Sequence, residues 1–194
     1  MKHLQQTALL GFVLAGFFAP TVLAANPPQS TTAQTGPETH PLGDIPDSQA
    51  FVRYTAASGG YSLEVPEGWS RLNAGGGVSF TSKLNRVEVA VRPALSVPSV
   101  ASVRSGVLAS LIRADPSLKV TLLRPMQLPA GPAVLARFTS AGAANEVTGR
   151  RETLENDLYV LRNGQREVVL RLSAPLGSDN VDAWTRMARS LAWK

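Results

Sequence analysis

Residues 158–173 have the sequence LYVLRNGQREVVLRLS, in which two apolar segments flank the dipeptide Asn163-Gly164. Asn-Gly tolerates the positive φ angles that both central positions of a type I′ turn require, so this stretch predicts a β-hairpin with a two-residue turn. We expect Arg162 to pair with Gln165 across that turn. A hairpin of this length indicates that an antiparallel sheet forms the framework of the domain.

Further strands are predicted on the N-terminal side of the hairpin. In the clearest of them Val87, Val89 and Val91 alternate with Arg86 and Glu88, which is typical of a strand with one apolar and one solvated face. Similar patterns predict strands at residues 51–55, 61–65, 78–80, 120–123 and 133–139.

Two segments have helical periodicity. Residues 99–113 begin with Ser99 as the predicted N-cap. They place one apolar stripe along a helix, made of Val100, Val103, Val107, Leu108, Leu111 and Ile112. The C-terminal segment predicts a helix capped by Ser178, in which Asp182 pairs with Arg186 four residues later. Its apolar face contains Val181, Trp184, Ala188 and Leu191, with Met187 at its edge. The order of elements predicts an α+β fold, an antiparallel β-sheet of about six to eight strands flanked by helices.

The first 50 residues predict targeting and spacing rather than a core. Residues 1–24 combine Lys2, an apolar run and small residues before a cleavage position after Ala24, as in a secretory signal peptide. An uncleaved membrane anchor is the alternative, but the run of 12 apolar residues at 8–19 is shorter than the roughly 20 that span a bilayer. Residues 25–50 are rich in Pro, Ser and Thr and predict a flexible linker. The globular domain is then expected at 51–194.

Composition excludes several classes of protein. The 194 residues are 44% hydrophobic and 17% charged, which fits a globular chain with a core. The chain has no cysteine, so disulfides, thiolate metal sites and a cysteine nucleophile are excluded. Its 19 basic residues exceed its 14 acidic residues, but no basic run with interleaved aromatic residues is present. We therefore expect no nucleic-acid partner.

The usual catalytic and metal-binding patterns are also missing. A serine hydrolase needs a base, yet the only histidine after the signal segment is His40, in the predicted linker. Glu152, Glu155 and Asp157 form the densest acidic stretch, which leaves a loose calcium site as the alternative to a strand edge of mixed charges. Residues 75–77 are three glycines without the Lys-Ser/Thr of a phosphate-binding loop, so they predict a hairpin connection. We predict no catalytic residue, no metal and no cofactor.

Two charged groups are candidates for a partner surface. One is the polar face of the valine strand, with Arg86, Glu88 and Arg92. The other is a group of late arginines, Arg150, Arg151, Arg162, Arg166 and Arg171. For both groups the alternative is an ordinary solvated face of the sheet.

One nine-residue motif resembles a known family. Residues 61–69, YSLEVPEGW, resemble the "Y-S-hydrophobic-x-hydrophobic-P-x-G-W" motif of PsbP-like domains, also called the Mog-type fold. The GVSF segment at 77–80, the valine strand, the two helices and the 166–172 strand agree with the same pattern, over roughly residues 52–192. The resemblance implies an α-β-α sandwich and a family whose members bind proteins without catalysis.

These observations lead to a functional expectation. We expect an exported, non-enzymatic accessory or chaperone-like domain of the bacterial cell envelope, which binds another envelope protein or peptide. It would meet the membrane only through the signal segment, if that segment is not cleaved. The alternatives are a periplasmic module for a small ligand or lipid, with its site between sheet and helices, and an enzyme of an unrecognised type.

Overall fold

Two antiparallel sheets organise the domain in the computed structural model, which describes residues 43–94 and 96–194. The larger sheet has seven strands in the spatial order β3-β4-β5-β9-β8-β7-β6, and the smaller has the order β1-β2-β10. The strands are β1 (Phe51–Thr55), β2 (Tyr61–Pro66), β3 (Ser70–Ala74), β4 (Gly77–Ser82), β5 (Asn85–Pro93), β6 (Lys119–Leu128), β7 (Gly131–Ala144), β8 (Arg151–Asn163), β9 (Arg166–Pro175) and β10 (Ala192–Trp193). The predicted α+β class with an antiparallel sheet and flanking helices is confirmed.

The seven-stranded sheet is covered on both faces. Its first face packs against the small sheet and the helix α3 (Val181–Ser190), with Tyr61, Trp184 and Met187 in this core. Its second face packs against a helical segment that comprises α1 (Val100–Val103), a π-helical turn (Arg104–Leu108) and α2 (Ala109–Ala114). Strand side chains alternate between the two faces, so neighbouring residues of β8 and β9 belong to different cores.

The central hairpin forms with a register other than the predicted one. Asn163 pairs with Arg166, and the turn is Gly164-Gln165. Only Gly164 has a positive φ in this turn, +59°, which fits a type II′ turn with glycine at its first central position. The predicted pair of Arg162 with Gln165 is therefore wrong. The observed register places Leu161 opposite Val168 and joins two fully buried side chains.

The helical segment before β6 agrees with its predicted start and differs in its stripe. Ser99 is the N-cap: its hydroxyl accepts a hydrogen bond from the backbone N–H of Ser102. Val103 and Leu108 are buried as expected. Ile112 is 41% exposed, because the π-helical turn shifts the phase of the residues that follow it.

The C-terminal helix begins later than predicted. Its N-cap position is Asn180, and the hydroxyl of Ser178 donates to the carbonyl of Pro175. Arg186 pairs with Glu64 of β2, with 2.7 Å between Nε and Oε2, instead of with Asp182. Val181 is exposed and Met187 is fully buried, so the apolar face is rotated toward Met187 relative to the predicted stripe.

The packed part of the chain begins before residue 51. Ile45 is 6% exposed and belongs to the first core. Its backbone N–H donates to Oδ1 of Asn180, and Nδ2 of Asn180 donates to the carbonyl of Gly43. The linker interpretation is therefore wrong for residues 43–50. The predicted signal segment and the rest of the linker lie outside the described residues.

Within residues 43–94 and 96–194, no helix has the length and apolar character needed to cross a bilayer.

Candidate functional site

The second face of the large sheet contains two adjoining grooves. The helical segment covers β7 and β8 but leaves Arg86 and Ala90 of β5 exposed. The helix-side groove has a volume of about 360 Å³ and lies between β3–β5 and the helical segment. The loop-side groove, of about 400 Å³, lies between the β4–β5 turn and the ends of β7 and β8. Arg86, Glu88 and Arg171 line both.

The walls of the helix-side groove are largely apolar. Leu72 of β3 contributes one wall and is 64% exposed. Val107 and Leu111 of the helical segment contribute the other. Gly75 and Gly76 form the turn between β3 and β4, with φ angles of +55° and +80°, values that glycine adopts without steric cost. The predicted hairpin connection at residues 75–77 is thus observed. It joins β4 to β3, a strand that was not predicted from the sequence.

The two grooves meet at a cluster of three charged side chains, Arg86, Glu88 and Arg171. Glu88 of β5 lies directly opposite Arg171 of β9 in the sheet. Nη2 of Arg86 is 2.8 Å from Oε1 of Glu88, and Nη1 of Arg171 is 3.9 Å from Oε2. One carboxylate therefore stands between two guanidinium groups, and the cluster has a net charge of +1.

A network of buried polar side chains hydrogen-bonds to Arg171 on the side that faces the sheet. Nε of Arg171 donates to Oδ1 of Asn156 at 2.9 Å, and the hydroxyl of Ser173 donates to the same oxygen at 2.7 Å. Nδ2 of Asn156 donates to Oγ of Ser140 at 3.0 Å. The guanidinium carbon lies 5.5 Å from the ring centroid of Phe138. Burial lowers the pKa of Arg171, and nearby Arg86 adds to this effect.

Asn156, Ser140 and Ser173 were not predicted as site residues. Ser173 is a polar residue inside a predicted strand, whereas Ser140 and Asn156 lie just outside the predicted strands, in parts of β7 and β8 that extend beyond the predicted bounds. Asn156 lies opposite Phe138 on one side and opposite Ser173 on the other. Only this pairing of strands shows that the three polar side chains belong to one network.

The remaining predicted arginines do not form one group. Arg92 pairs with Glu167 near the hairpin end of the sheet, and Arg162 donates from Nε to the carbonyl of Gly164. Arg166 lies two residues before Val168 in β9 and therefore on the same, first face. At the opposite end Arg151 donates from Nη1 to the carbonyl of Gly142, and Arg150 is exposed. The structure thus unites Arg86 and Glu88 with Arg171 and separates them from Arg92, Arg150, Arg151, Arg162 and Arg166.

The acidic stretch of β8 is divided between the two faces. Glu152 lines the loop-side groove, whereas Asp157 is buried on the first face. Nε and Nη2 of Arg137 donate to the two oxygens of Asp157 at 2.7 and 2.9 Å. Burial raises the pKa of Glu155. In the ranges 43–94 and 96–194, no three His, Cys, Asp or Glu side chains form a group that could hold a metal ion.

Two solved structures are similar to this chain in fold. The cyanobacterial PsbP protein CyanoP from Synechocystis sp. PCC 6803 matches with a TM-score of 0.59 and 15% identity, over 79% of this chain and 99% of that chain. The Ran-binding protein Mog1p of Saccharomyces cerevisiae matches with a TM-score of 0.53 and 8% identity, over 75% of this chain and 96% of that chain. No family model and no curated protein matches the chain. Because the identities are low, the likeness concerns the fold, and the chain has the PsbP/Mog-type fold that its sequence motifs resemble.

Proposed function

We propose that this protein is an exported, non-enzymatic accessory or chaperone-like module that binds a segment of another envelope protein in the two adjoining grooves. The observation that carries the proposal is the combination of an apolar groove and a charged cluster on one uncovered part of the sheet. Exposed Leu72 supplies apolar contact area, while Arg86 and Glu88 supply directional polar contacts. Protein-binding surfaces commonly combine an apolar centre with such polar groups.

The shape of the site favours a chain segment over a globular surface. The grooves follow each other along the second face and share the charged cluster at their junction. An extended peptide places successive side chains on opposite sides at about 3.3 Å per residue. It can therefore fill the helix-side groove with one side chain and reach the cluster with another.

Sequence features support the exported and non-enzymatic parts of the proposal. The N-terminal 24 residues have the three zones of a secretory signal peptide. The chain lacks cysteine, and His40 is the only histidine after that segment. A yeast protein of the same fold is named a Ran-binding protein, so protein binding is a use to which this fold is put elsewhere.

Site-specific photocrosslinking in the native host tests the proposal. A photoreactive amino acid replaces Leu72 at the groove wall, and in a matched control it replaces Val181, which is 61% exposed on α3. The full chain carries a C-terminal tag. We expect one envelope protein to crosslink at position 72 and not at 181, and Arg86→Glu to reduce its capture. Equal capture at both positions, or capture that Arg86→Glu leaves unchanged, contradicts the groove as the binding site. The mass of the recovered protein reports cleavage after Ala24.

A small-ligand or lipid site is the second candidate. The groove volumes of about 360 and 400 Å³ fall at the lower end of the range for ligand pockets. The contact of the helical segment with β7 and β8 is filled by Val103, Leu108, Phe138 and Leu158, so the ligand would occupy the grooves beside this contact. A lipid or small molecule that co-purifies with the wild type, and is lost from Leu72→Glu, would favour this candidate.

A further inference from the structure

The chemistry of the charged cluster specifies what the partner segment must contain. We propose that Arg171 and Arg86 recognise a carboxylate of the extended partner segment, and that a large apolar side chain two residues away, on the same side of that segment, occupies the helix-side groove. The inference rests on the binding role proposed above and adds to it the class of ligand, a pair of acidic and apolar residues in a protein chain.

Arg171 is positioned before any partner arrives. Its Nε is held by Asn156 at 2.9 Å, and its guanidinium lies over the ring of Phe138. An arginine fixed in this way loses little side-chain entropy on binding, because its planar group already has one orientation. A surface arginine without such support would have to be ordered by the partner.

The two terminal nitrogens of Arg171 have only long contacts within the described residues. Nη2 is 3.5 Å from Oγ of Ser140, and Nη1 is 3.9 Å from Oε2 of Glu88. Charge-assisted hydrogen bonds are usually about 2.7 to 2.9 Å long. Nη1 and Nη2 of Arg171 can therefore donate shorter hydrogen bonds to a carboxylate of the partner, in the bidentate geometry that guanidinium and carboxylate groups favour.

The charge balance of the site also favours an anion. Glu88 neutralises only one of the two guanidinium groups that contact it. Asp115, whose charge also acts on Arg171, is engaged elsewhere: its carboxylate accepts hydrogen bonds from Ser117 and from the backbone N–H of Ala141. A carboxylate from the partner would complete the pairing, whereas a second cation would add repulsion in a partly desolvated site.

The apolar requirement follows from the residues beside the cluster. Leu72, Val107 and Leu111 line the same groove as Arg171. A leucine or phenylalanine side chain two residues from the acidic residue would cover these carbons, and the burial of its apolar surface would add to the affinity. This contribution makes a simple acidic peptide a weaker ligand than an acidic–apolar one.

Titration with short peptides, observed by NMR, tests the inference directly. The probes are three acetylated and amidated hexapeptides: Gly-Glu-Ser-Leu-Ser-Gly (the Glu-Leu peptide), a Gln-Leu counterpart with Gln in place of Glu, and a Glu-Ser counterpart with Ser in place of Leu. They are added to the ¹⁵N-labelled protein purified after expression of the full chain. The readout is the Nε–Hε resonance of Arg171, with backbone amides of β4, β5 and β9. We expect the Glu-Leu peptide to shift these signals with an affinity on the order of tenfold above either counterpart.

A variant that is expected to bind more tightly is included, because misfolding could explain a loss of peptide binding but not a gain. Glu88→Gln removes the carboxylate that competes for both guanidinium groups, and we expect it to raise the affinity for the Glu-Leu peptide several-fold. Arg86→Gln should lower that affinity, while Arg162→Gln, a matched change of an arginine outside the grooves, should leave it unchanged.

Each outcome supports or overturns the inference. Selective shifts with the Glu-Leu peptide and stronger binding by Glu88→Gln support it. Equal binding of the Gln-Leu peptide, no shift with any peptide, or weaker binding by Glu88→Gln overturns it. A protein partner that still crosslinks at position 72 in those cases leaves the proposed function intact and removes only the acidic requirement.

Discussion

Asn156 accepts a hydrogen bond from Nε of Arg171, at 2.9 Å, while its own side chain is fully buried beneath the grooves. The amide thereby joins the stability of the sheet to the geometry of the candidate site. Its oxygen also accepts from Ser173, and its nitrogen donates to Ser140 and to the carbonyl of Phe138. A single side chain therefore satisfies polar groups on β7 and β9 at once.

Replacement of this amide should destabilise the protein strongly. Asn156→Ala removes the oxygen that accepts hydrogen bonds from Arg171 and Ser173, and the N–H group that donates to the carbonyl of Phe138. We therefore expect a loss of about 2 to 4 kcal/mol in the free energy of unfolding. Urea denaturation measures it. The exposed control Asn73→Ala should change this free energy by less than about 0.5 kcal/mol. A loss below about 1 kcal/mol for Asn156→Ala would show that water replaces the amide.

The Arg137–Asp157 pair should show strong coupling. The side chain of Asp157 is 4% exposed and that of Arg137 is 47% exposed, so removal of the arginine leaves a carboxylate in a largely apolar site. We expect Arg137→Ala to cost about 2 kcal/mol, less than for a fully buried pair because solvent reaches the arginine.

A double-mutant cycle isolates this interaction. In the double variant Arg137→Ala/Asp157→Asn no charge remains to be compensated, and we expect a coupling energy of about 1 kcal/mol or more. Additive effects of the two substitutions would mean that the observed bidentate contact contributes nothing to stability.

The effect of Glu155 on the free energy of unfolding should depend on pH. Burial raises the pKa of this carboxyl above its ordinary value of 4.5. The positive charge of Arg137 lowers the pKa in part, and the negative charge of Asp157 raises it further. The charged form therefore costs stability above the folded-state pKa, and the cost disappears as pH falls through that value. We expect Glu155→Gln to be more stable than the wild type at pH 7.

Urea denaturation between pH 4 and 8 checks this prediction. The advantage of Glu155→Gln should shrink as the pH approaches 4.5, the ordinary pKa of the carboxyl. Glu67→Gln, a change at an exposed turn, should remain within about 0.5 kcal/mol of the wild type at pH 7. An advantage that grows toward acidic pH would have the wrong sign and would contradict the prediction.

Residues 43–50 should behave as part of the domain. Ile45 is buried in the first core, and large-to-small substitutions in cores cost about 2 to 5 kcal/mol. We expect Ile45→Ala to destabilise the protein within this range in thermal or urea denaturation. Val52→Ala, at a more exposed strand position, should cost less than about 1 kcal/mol. A negligible effect of Ile45→Ala would restore the linker interpretation for this segment.

Local patterns were enough to predict most elements of the fold. The alternation of Val87, Val89 and Val91 with charged residues predicted β5, and Ser99 predicted the start of the helical segment. These signals are readable because side-chain direction in a strand or helix depends only on near neighbours in the chain. The motif at 61–69 added the PsbP/Mog-type fold, because it combines in one stretch a strand, a turn and a tryptophan that packs, partly buried, against the first core.

Errors arose where two solutions satisfy the same local pattern. Both Asn163-Gly164 and Gly164-Gln165 can form a two-residue turn, and the buried pair of Leu161 with Val168 selects the second. Arg186 had a suitable acid four residues away in its helix, but Glu64 of the neighbouring strand pairs with it. Packing between distant segments decides such cases.

The sequence by itself determined the class of fold, most of its strands and helices, and the types of chemistry that the composition excludes. The tertiary structure alone decided that Arg171 joins Arg86 and Glu88 and that the other candidate arginines lie apart. The physical reason is that strand order and register bring together residues that are far apart in the chain. The buried amide of Asn156 then fixes Arg171 in the position from which it faces both grooves.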